Sequence, residues 1–255
     1  MNRVLVAFAL KEEFAPFRSR HRFHRFPASQ RQVLVTSFGA TEVYVALVGA
    51  GAPDAYQFDN LIALFTPSLG IVTGFAAGLK PHWRSGDLLV AQSVSGLGSE
   101  ARIPAAPDLI DLAAQCGAKP ALALITLPRI ARTTAEKAHL ASLGDAADME
   151  SLPLMKRWSA RGIPCLAIRV ILDPVEMPMT CDFEATFDAH GQVRITRILA
   201  QWARRPQLLP GFLSLACQSR RVSMILARFL DRFLELLDRK SVGQRRLVEK
   251  TPPAA

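Results

Sequence analysis

The chain has 255 residues and is poor in the features that mark several common protein classes. Its four cysteines, Cys116, Cys165, Cys181 and Cys217, show no Cys-x-x-Cys spacing and no metal-binding pattern with the five histidines. Reduced thiols, mostly buried and acting as small hydrophobes, are the expectation, and no metal site is expected. No run of about 18 apolar residues exists, so no membrane-crossing helix is predicted. The apolar stretch in Met1–Leu10 is short, lacks a small-residue cleavage site and runs into Lys11-Glu12-Glu13. It reads as a first strand rather than a signal peptide.

Acidic residues are scarce at one end. From Arg194 onward there are 13 Lys/Arg against 4 Asp/Glu, whereas residues 1–193 hold 18 of each. The whole net charge of +9 therefore belongs to the C-terminal part. With half its residues hydrophobic, the chain can build one sizeable domain or a domain with an appendage. The expected organisation is an α/β domain over residues 1–193, a basic amphipathic helical extension over 194–240, and a disordered tail over 241–255.

Alternation of strands and helices dominates the first part. Strands are expected at Val4–Leu10, Gln32–Ser37, Glu42–Val48, Leu69–Thr73, Asp87–Val94, Ala121–Thr126 and Cys165–Leu172. Helices are expected at about Pro53–Phe65, at Pro107–Cys116, from Thr133 through Leu143, and at Met149–Ser159. Thr133 and Glu136 have the spacing of a capping box. Such alternation indicates an α/β sandwich. The basic-aromatic stretch Arg18–Phe26 (RSRHRFHRF) is expected to be an edge strand or hairpin rather than a nucleic-acid stripe.

Residues 147–173 carry the strongest site signal. A helix, a break at Arg161–Pro164 and the nearly continuous apolar run Cys165–Leu172 describe a strand covered on both faces of a parallel sheet. Asp173 lies just past its end, where open α/β sheets bind ligands. Gly74-Phe75-Ala76-Ala77-Gly78 reads as a small-residue turn whose peptide N–H groups can face an anion or a sugar. Arg129, Arg132 and Lys137 are read as surface charges, and Asp148 as a hydrogen-bonding residue of the core. Downstream of Asp173, Asp182–Val193 reads as irregular. Three helical stretches are expected after it, at Ile195–Arg204, Leu208–Ser219 and Val222–Leu237.

Four segments in order, Val4–Glu13, LVGAGAPDA at 47–55, IVTGFAAGLKPHWRSGDLLVAQSV at 71–94 and ADMES…IRVILD at 147–173, resemble the nucleoside phosphorylase/nucleosidase superfamily. TTAEKAHLASLGDAADMES, the DPVEMP loop and RILAQWARRPQLLPGFLSLACQSRR are similar to the hopanoid-biosynthesis-associated phosphorylase-like proteins, which are taken to remove adenine from adenosylhopane. The resemblance implies a three-layer α/β/α sandwich of the nucleoside phosphorylase type with a C-terminal helical extension. It implies a homodimer and catalysis without a cofactor.

By the same resemblance, Glu13, with Glu12 as the neighbouring alternative, activates the attacking water. Met149 and Glu150 contact the ribose, and Asp173 protonates the purine. Gly74, Phe75 and Ala76 wall the sugar. Two departures bear on the subtype. Phe75 stands where many members carry Ser, and the 74–78 turn lacks the Arg and Ser with which phosphorylases hold phosphate. Water is therefore expected as nucleophile; a phosphorylase and an inert membrane-associated binding protein are the alternatives. The implied partner is an adenosyl-linked small molecule or lipid, with nucleic acid disfavoured. The expected location is the cytoplasm; the basic extension is expected to pack on the core with its basic faces solvated, with contact at the inner membrane surface as the next alternative.

Overall fold

The computed structural model describes residues 2–26, 33–51, 55–177 and 209–249. The strands are β1 (Asn2–Phe8), β2 (His24–Arg25), β3 (Leu34–Phe38), β4 (Thr41–Leu47), β5 (Leu69–Gly78), β6 (Leu88–Ala91), β7 (Ser93–Gly96), β8 (Arg102–Pro104), β9 (Lys119–Ala121), β10 (Leu124–Thr126), β11 (Ala146–Asp148) and β12 (Cys165–Asp173). The helices are α1 (Lys11–Arg20), α2 (Ala55–Phe65), α3 (Pro107–Gln115), α4 (Thr134–Leu140), α5 (Ser151–Ser159) and α6 (Leu209–Glu249). All the strands join one mixed sheet, with β4, β1, β5 and β12 parallel at its centre.

Period-2 alternation along the central strands feeds two cores. Val4, Val6 and Phe8 of β1 and Leu166, Ile168 and Val170 of β12 face α1, α3 and α6. Leu5, Ala7, Cys165, Ala167 and Ile171 face α2 and α5. The result is the expected three-layer sandwich, in which a strand buried on both faces reads as an unbroken apolar run. Every residue of β12 is buried.

Several elements differ from the sequence expectation. The Gly74–Gly78 segment is not a turn, because β5 continues through it. Along one side β5 pairs with β1 as far as Thr73 and with β11 from Ala77, while β12 runs along the other side. These neighbours hold the segment extended, and no local signal reveals them. Asp87–Val94 divides into β6, which pairs with β12, and β7, which pairs with β10. Ala121–Thr126 likewise divides into β9 and β10. β11 was not expected as a strand. Arg18–Phe26 contributes the end of α1 and the short edge strand β2.

Helix α6 is continuous where two helices were expected, and it extends nine residues into the expected disordered tail, to Glu249. Pro210 sits in its first turn, where a missing N–H costs nothing, and no proline interrupts it before Pro252. The segments expected at Asp182–Val193 and Ile195–Arg204 lie outside the described residues, as does the end of the tail at 250–255. Cys116 and Cys165 are buried and free, Cys217 is exposed, and Cys181 lies outside the described residues. No described helix is long and apolar enough to cross a membrane.

Candidate active site

The C-terminal ends of β1, β5, β11 and β12 open on a cavity of about 860 Å³. Its lining includes Glu13, Phe75, Ala76, Asp148, Met149, Glu150 and Asp173, with α1 and α6 supplying another part of the wall. β1, β5 and β12 run parallel and bring their C-terminal ends to one place, the usual ligand position of open α/β sheets, and antiparallel β11 adds Asp148, Met149 and Glu150 there.

Glu13 enters from the first turn of α1. Leu10 is the N-cap residue and offers no side-chain cap. Glu13, three residues on, turns back so that Oε2 accepts the N–H groups of Ala9 at 3.1 Å and Leu10 at 2.9 Å. Its Oε1 accepts the Phe75 N–H at 2.8 Å. That N–H lies between the stretches of β5 paired to β1 and to β11. The backbone donor foreseen at the 74–78 segment is therefore real, and the anion it meets is the protein's own carboxylate. Burial raises the Glu13 pKa, while nearby Arg169 and the three N–H groups oppose the rise. Glu12 is exposed.

Gly74 makes this contact sterically possible. Its φ is +146°, and a Cβ there would fall within the Glu13 carboxylate.

Glu150 follows β11 and occupies the N-cap position of α5 without capping it. Its Oε1 accepts the Gly51 N–H at 2.8 Å, tying the Gly-Ala-Gly loop to the site. Its Oε2 lies 3.6 Å from Arg169 Nη2. Burial pushes the Glu150 pKa up to about 8, with Asp148 and Glu13 adding to the rise and Arg169 opposing it.

Arg169 is the organising residue that sequence reading passed over. It is fully buried in the middle of β12. Its guanidinium closes on Asp148, donates to Ser151 Oγ at 3.0 Å, and reaches the Phe75 carbonyl at 3.4 Å. Asp148 also accepts from Thr126 Oγ1 at 2.8 Å and from the Ser151 N–H at 3.2 Å, in keeping with its expected core role. One cation thus serves three neighbouring carboxyl groups, and its closest contact is with Asp148. Glu13 and Glu150 share what remains, which is why burial prevails at both.

Asp173 ends β12 and is buried. Lys137, expected at the surface, is fully buried and lies 2.8 Å from Asp173 Oδ2. The ammonium donates to the carbonyls of Pro174 at 3.1 Å and Met177 at 2.9 Å. Oδ2 has a charge partner but no well-aligned donor. Burial raises the Asp173 pKa to about 6 although Lys137 pulls it down. Phe75 and Met149 are half-buried at the cavity wall. Among the described residues, no three His, Cys, Asp or Glu side chains stand together as a metal cluster.

Glu13, Glu150 and Asp173, each with a pKa raised by burial, meet in this one cavity on a doubly covered α/β scaffold, an arrangement suited to proton transfer and polar recognition. The sequence model of the Phosphorylase superfamily matches residues 3–204, and the chain belongs to that family. Its fold is similar to a mutant futalosine hydrolase of Helicobacter pylori (TM-score 0.71, 17% identity, covering 92% of this chain and 99% of that one). It is similar also to the 5'-methylthioadenosine/S-adenosyl homocysteine nucleosidase of Campylobacter jejuni (0.71, 16%, 92% and 99%). The corresponding nucleosidase of H. pylori bound to butyl-thio-DADMe-Immucillin-A gives 0.72 and 18%, covering 92% and 98%. No curated protein sequence matches the chain.

Proposed function

We propose that the protein is a purine nucleosidase that hydrolyses the N-glycosidic bond of an adenosyl-linked hydrophobic substrate, with adenosylhopane first among the candidates. The observation that carries this reading is the meeting of Glu13, Glu150 and Asp173 in one cavity from three distant parts of the chain. The family supports it, and the named activities of similar folds agree with it.

In the reaction, Asp173 in its acid form gives a proton to the purine, at N7, as the C1′–N9 electron pair leaves with the base. Its raised pKa favours the protonated state it needs. Glu150 accepts hydrogen bonds from the ribose hydroxyls and so orients the sugar for attack at C1′. Glu13 takes the proton of the water that attacks C1′. Arg169 holds the Glu150 and Asp148 carboxylates in place. Water rather than phosphate is the nucleophile in this reading, since the 74–78 segment carries no Arg or Ser and buried Arg169 is already engaged by protein oxygens; Arg220 and Arg228, which also line the cavity, make the phosphate arm of the test the deciding one. The chain works as a homodimer, and the basic face of α6 brings it to the inner membrane surface.

The test is adenine release from adenosylhopane in detergent, with and without phosphate, beside methylthioadenosine. Release without phosphate is expected. Asp173→Asn should lower release by at least about a hundredfold, the usual contribution of a positioned acid, with unchanged circular dichroism. Release that requires phosphate would make the enzyme a phosphorylase. No release from any adenosyl compound, with vesicle binding retained, would leave a binding protein.

A further inference from the structure

Asp173 does not lie at the end of a regular strand. Along β12 the register with β5 runs residue by residue from Cys165 to Ile171, which faces Ala76; the next pair is Asp173 with Ala77. Leu172 is therefore an extra residue without a partner in β5, and on the other side β6 pairs only with Ile168, Arg169 and Val170. An extra residue of this kind bends its strand and re-aims the side chain beside it, here the Asp173 carboxyl. It also leaves the carbonyl of Leu172, a residue only 8% exposed, in need of a donor from outside the ladder.

The donor comes from α6. Gln218 Nε2 lies 2.6 Å from the Leu172 carbonyl and 2.7 Å from Ser85 Oγ, with Met177 Sδ at 3.9 Å. A carbonyl can only accept, so the amide nitrogen and not its oxygen faces Leu172. Ser85 belongs to a turn that closes on the same stretch of β12. There the Gly86 N–H donates to the Ile171 carbonyl at 2.8 Å, and the Ile171 N–H donates to the Asp87 carbonyl at 2.8 Å. Gln218 thus ties the irregular residue and this turn to α6, immediately before Asp173. Lys137 grips the chain immediately after it, through the Pro174 and Met177 carbonyls. α6 is itself anchored, since Asp238 accepts from the Ala40 N–H at 3.0 Å and from Thr41 Oγ1 at 2.8 Å. Leu215, Ala216 and Ser219 line the cavity, whereas half-buried Gln218 stands behind its wall. The family match stops at residue 204, so it does not reach this side chain.

We propose that Gln218 is a positioning residue for the acid: by holding the Leu172 carbonyl it sets the direction in which the Asp173 carboxyl enters the cavity. The role of Asp173 itself rests on the nucleosidase reading. Gln218 touches no substrate and carries no charge, so its effect passes wholly through the geometry of residues 172 and 173. Without the amide, the Leu172 carbonyl turns toward another donor and the following carboxyl swings with it. A proton donor must lie within hydrogen-bond reach of the atom it protonates, so even a small swing separates Asp173 from N7 while leaving the sugar contacts of Glu150 and Glu13 in place.

Two uncleavable analogues read the Asp173 contact directly. 9-Deazaadenosine carries a hydrogen on N7 and a carbon–carbon glycosidic bond, whereas 7-deazaadenosine has C–H in place of N7 and offers Asp173 no donor. At pH 8, above the Asp173 pKa of about 6, the carboxylate accepts the N7–H. Calorimetry on the full wild-type chain should therefore show the first analogue bound at least about tenfold tighter. Gln218→Met and Gln218→Leu keep the bulk of the side chain and remove the donor. In both, the ratio of the two Kd values should fall to within about twofold of one. For adenine release from adenosylhopane in detergent, kcat should fall at least about tenfold, with KM within about twofold of the wild type. A tenfold preference that survives both substitutions would overturn the proposal. So would an equal loss of affinity for both analogues, because a residue that only supports the fold loosens the whole site. A wild type that binds neither analogue, or both equally, would show that Asp173 does not face N7; that removes the acid from the nucleosidase reading, and the role of Gln218 with it.

Discussion

Asp173 and Lys137 form a buried pair in which the cation works against the protonation that an acid catalyst needs. Burial lifts the carboxyl to about 6, and the ammonium 2.8 Å away keeps it from rising further. Lys137→Gln removes that charge while leaving a donor for the Pro174 and Met177 carbonyls. Above the Asp173 pKa the acid is lost, so kcat/KM for adenine release should decline as pH rises past about 6 in the wild type. In Lys137→Gln the declining limb should move to higher pH by about one unit or more, the size expected for removing an adjacent opposite charge. A limb that stays in place would mean that Asp173 does not set it. The sequence did contain a sign of Lys137's burial. It lies three residues before Leu140 on α4, and residues so spaced share a helix face that Leu140 turns inward. Arg169 was equally visible as a charge inside the apolar run Cys165–Leu172, where burial demands an acidic partner. Asp148 and Glu150 were the partners at hand.

Strand β5 and helix α1 together fix the position of Glu13, and the point where they meet is Gly74. Any side chain there meets the Glu13 carboxylate while adopting a φ of +146° that L residues rarely take. Gly74→Ala should therefore displace Glu13, break its bonds to Phe75, Ala9 and Leu10, and lower adenine release at least about tenfold. Loss of a buried hydrogen-bonded carboxylate should also cost about 1–3 kcal/mol in urea unfolding. Native activity and an unchanged midpoint would show that Glu13 has room to move and that its contact with Phe75 is incidental. Elements whose signals are local were legible. The Thr133 capping box is present, with Thr133 Oγ1 accepting the Glu136 N–H at 3.1 Å, and β12 occupies the run that breakers on both sides delimit. Elements defined by distant partners were not. The extension of β5 past Gly74 depends on β11 and β12, and the antiparallel pairing of β6 to β12 brings together residues some 80 positions apart in the chain. The unbroken α6 differs for another reason: Arg220 and Arg221 interrupt the apolar pattern between Leu208–Ser219 and Val222–Leu237, but neither is a helix breaker, so the helix runs through them.

At the scale of the whole molecule, the site is an electrostatic load on the fold, because Glu13, Glu150 and Asp173 are buried with too little positive charge to keep them ionised at no cost. All three have pKa values raised by burial, Glu150 to about 8 and Asp173 to about 6. In the unfolded chain they lose their protons near the ordinary carboxylate values of about 4. Between that range and about 8, the native state therefore holds protons that the unfolded state has released. Bound protons that are more numerous in the native state make stability fall as pH rises. The contribution is flat below the unfolded values, where both states are protonated, and is lost progressively above them, completely for Asp173 once pH exceeds about 6 and for Glu150 once it exceeds about 8. The net charge of +9 grows as pH falls and its self-repulsion opposes the carboxyl contribution in acid, so the comparison belongs between variants at matched pH. Glu150→Gln keeps an oxygen for the Gly51 N–H and cannot ionise. Its melting temperature, relative to the wild type, should rise steadily from pH 5 to pH 8.5, with the two proteins closest at the acid end. A difference that does not change with pH would mean that Arg169 offsets burial at Glu150 and that its carboxyl is not raised in the native protein.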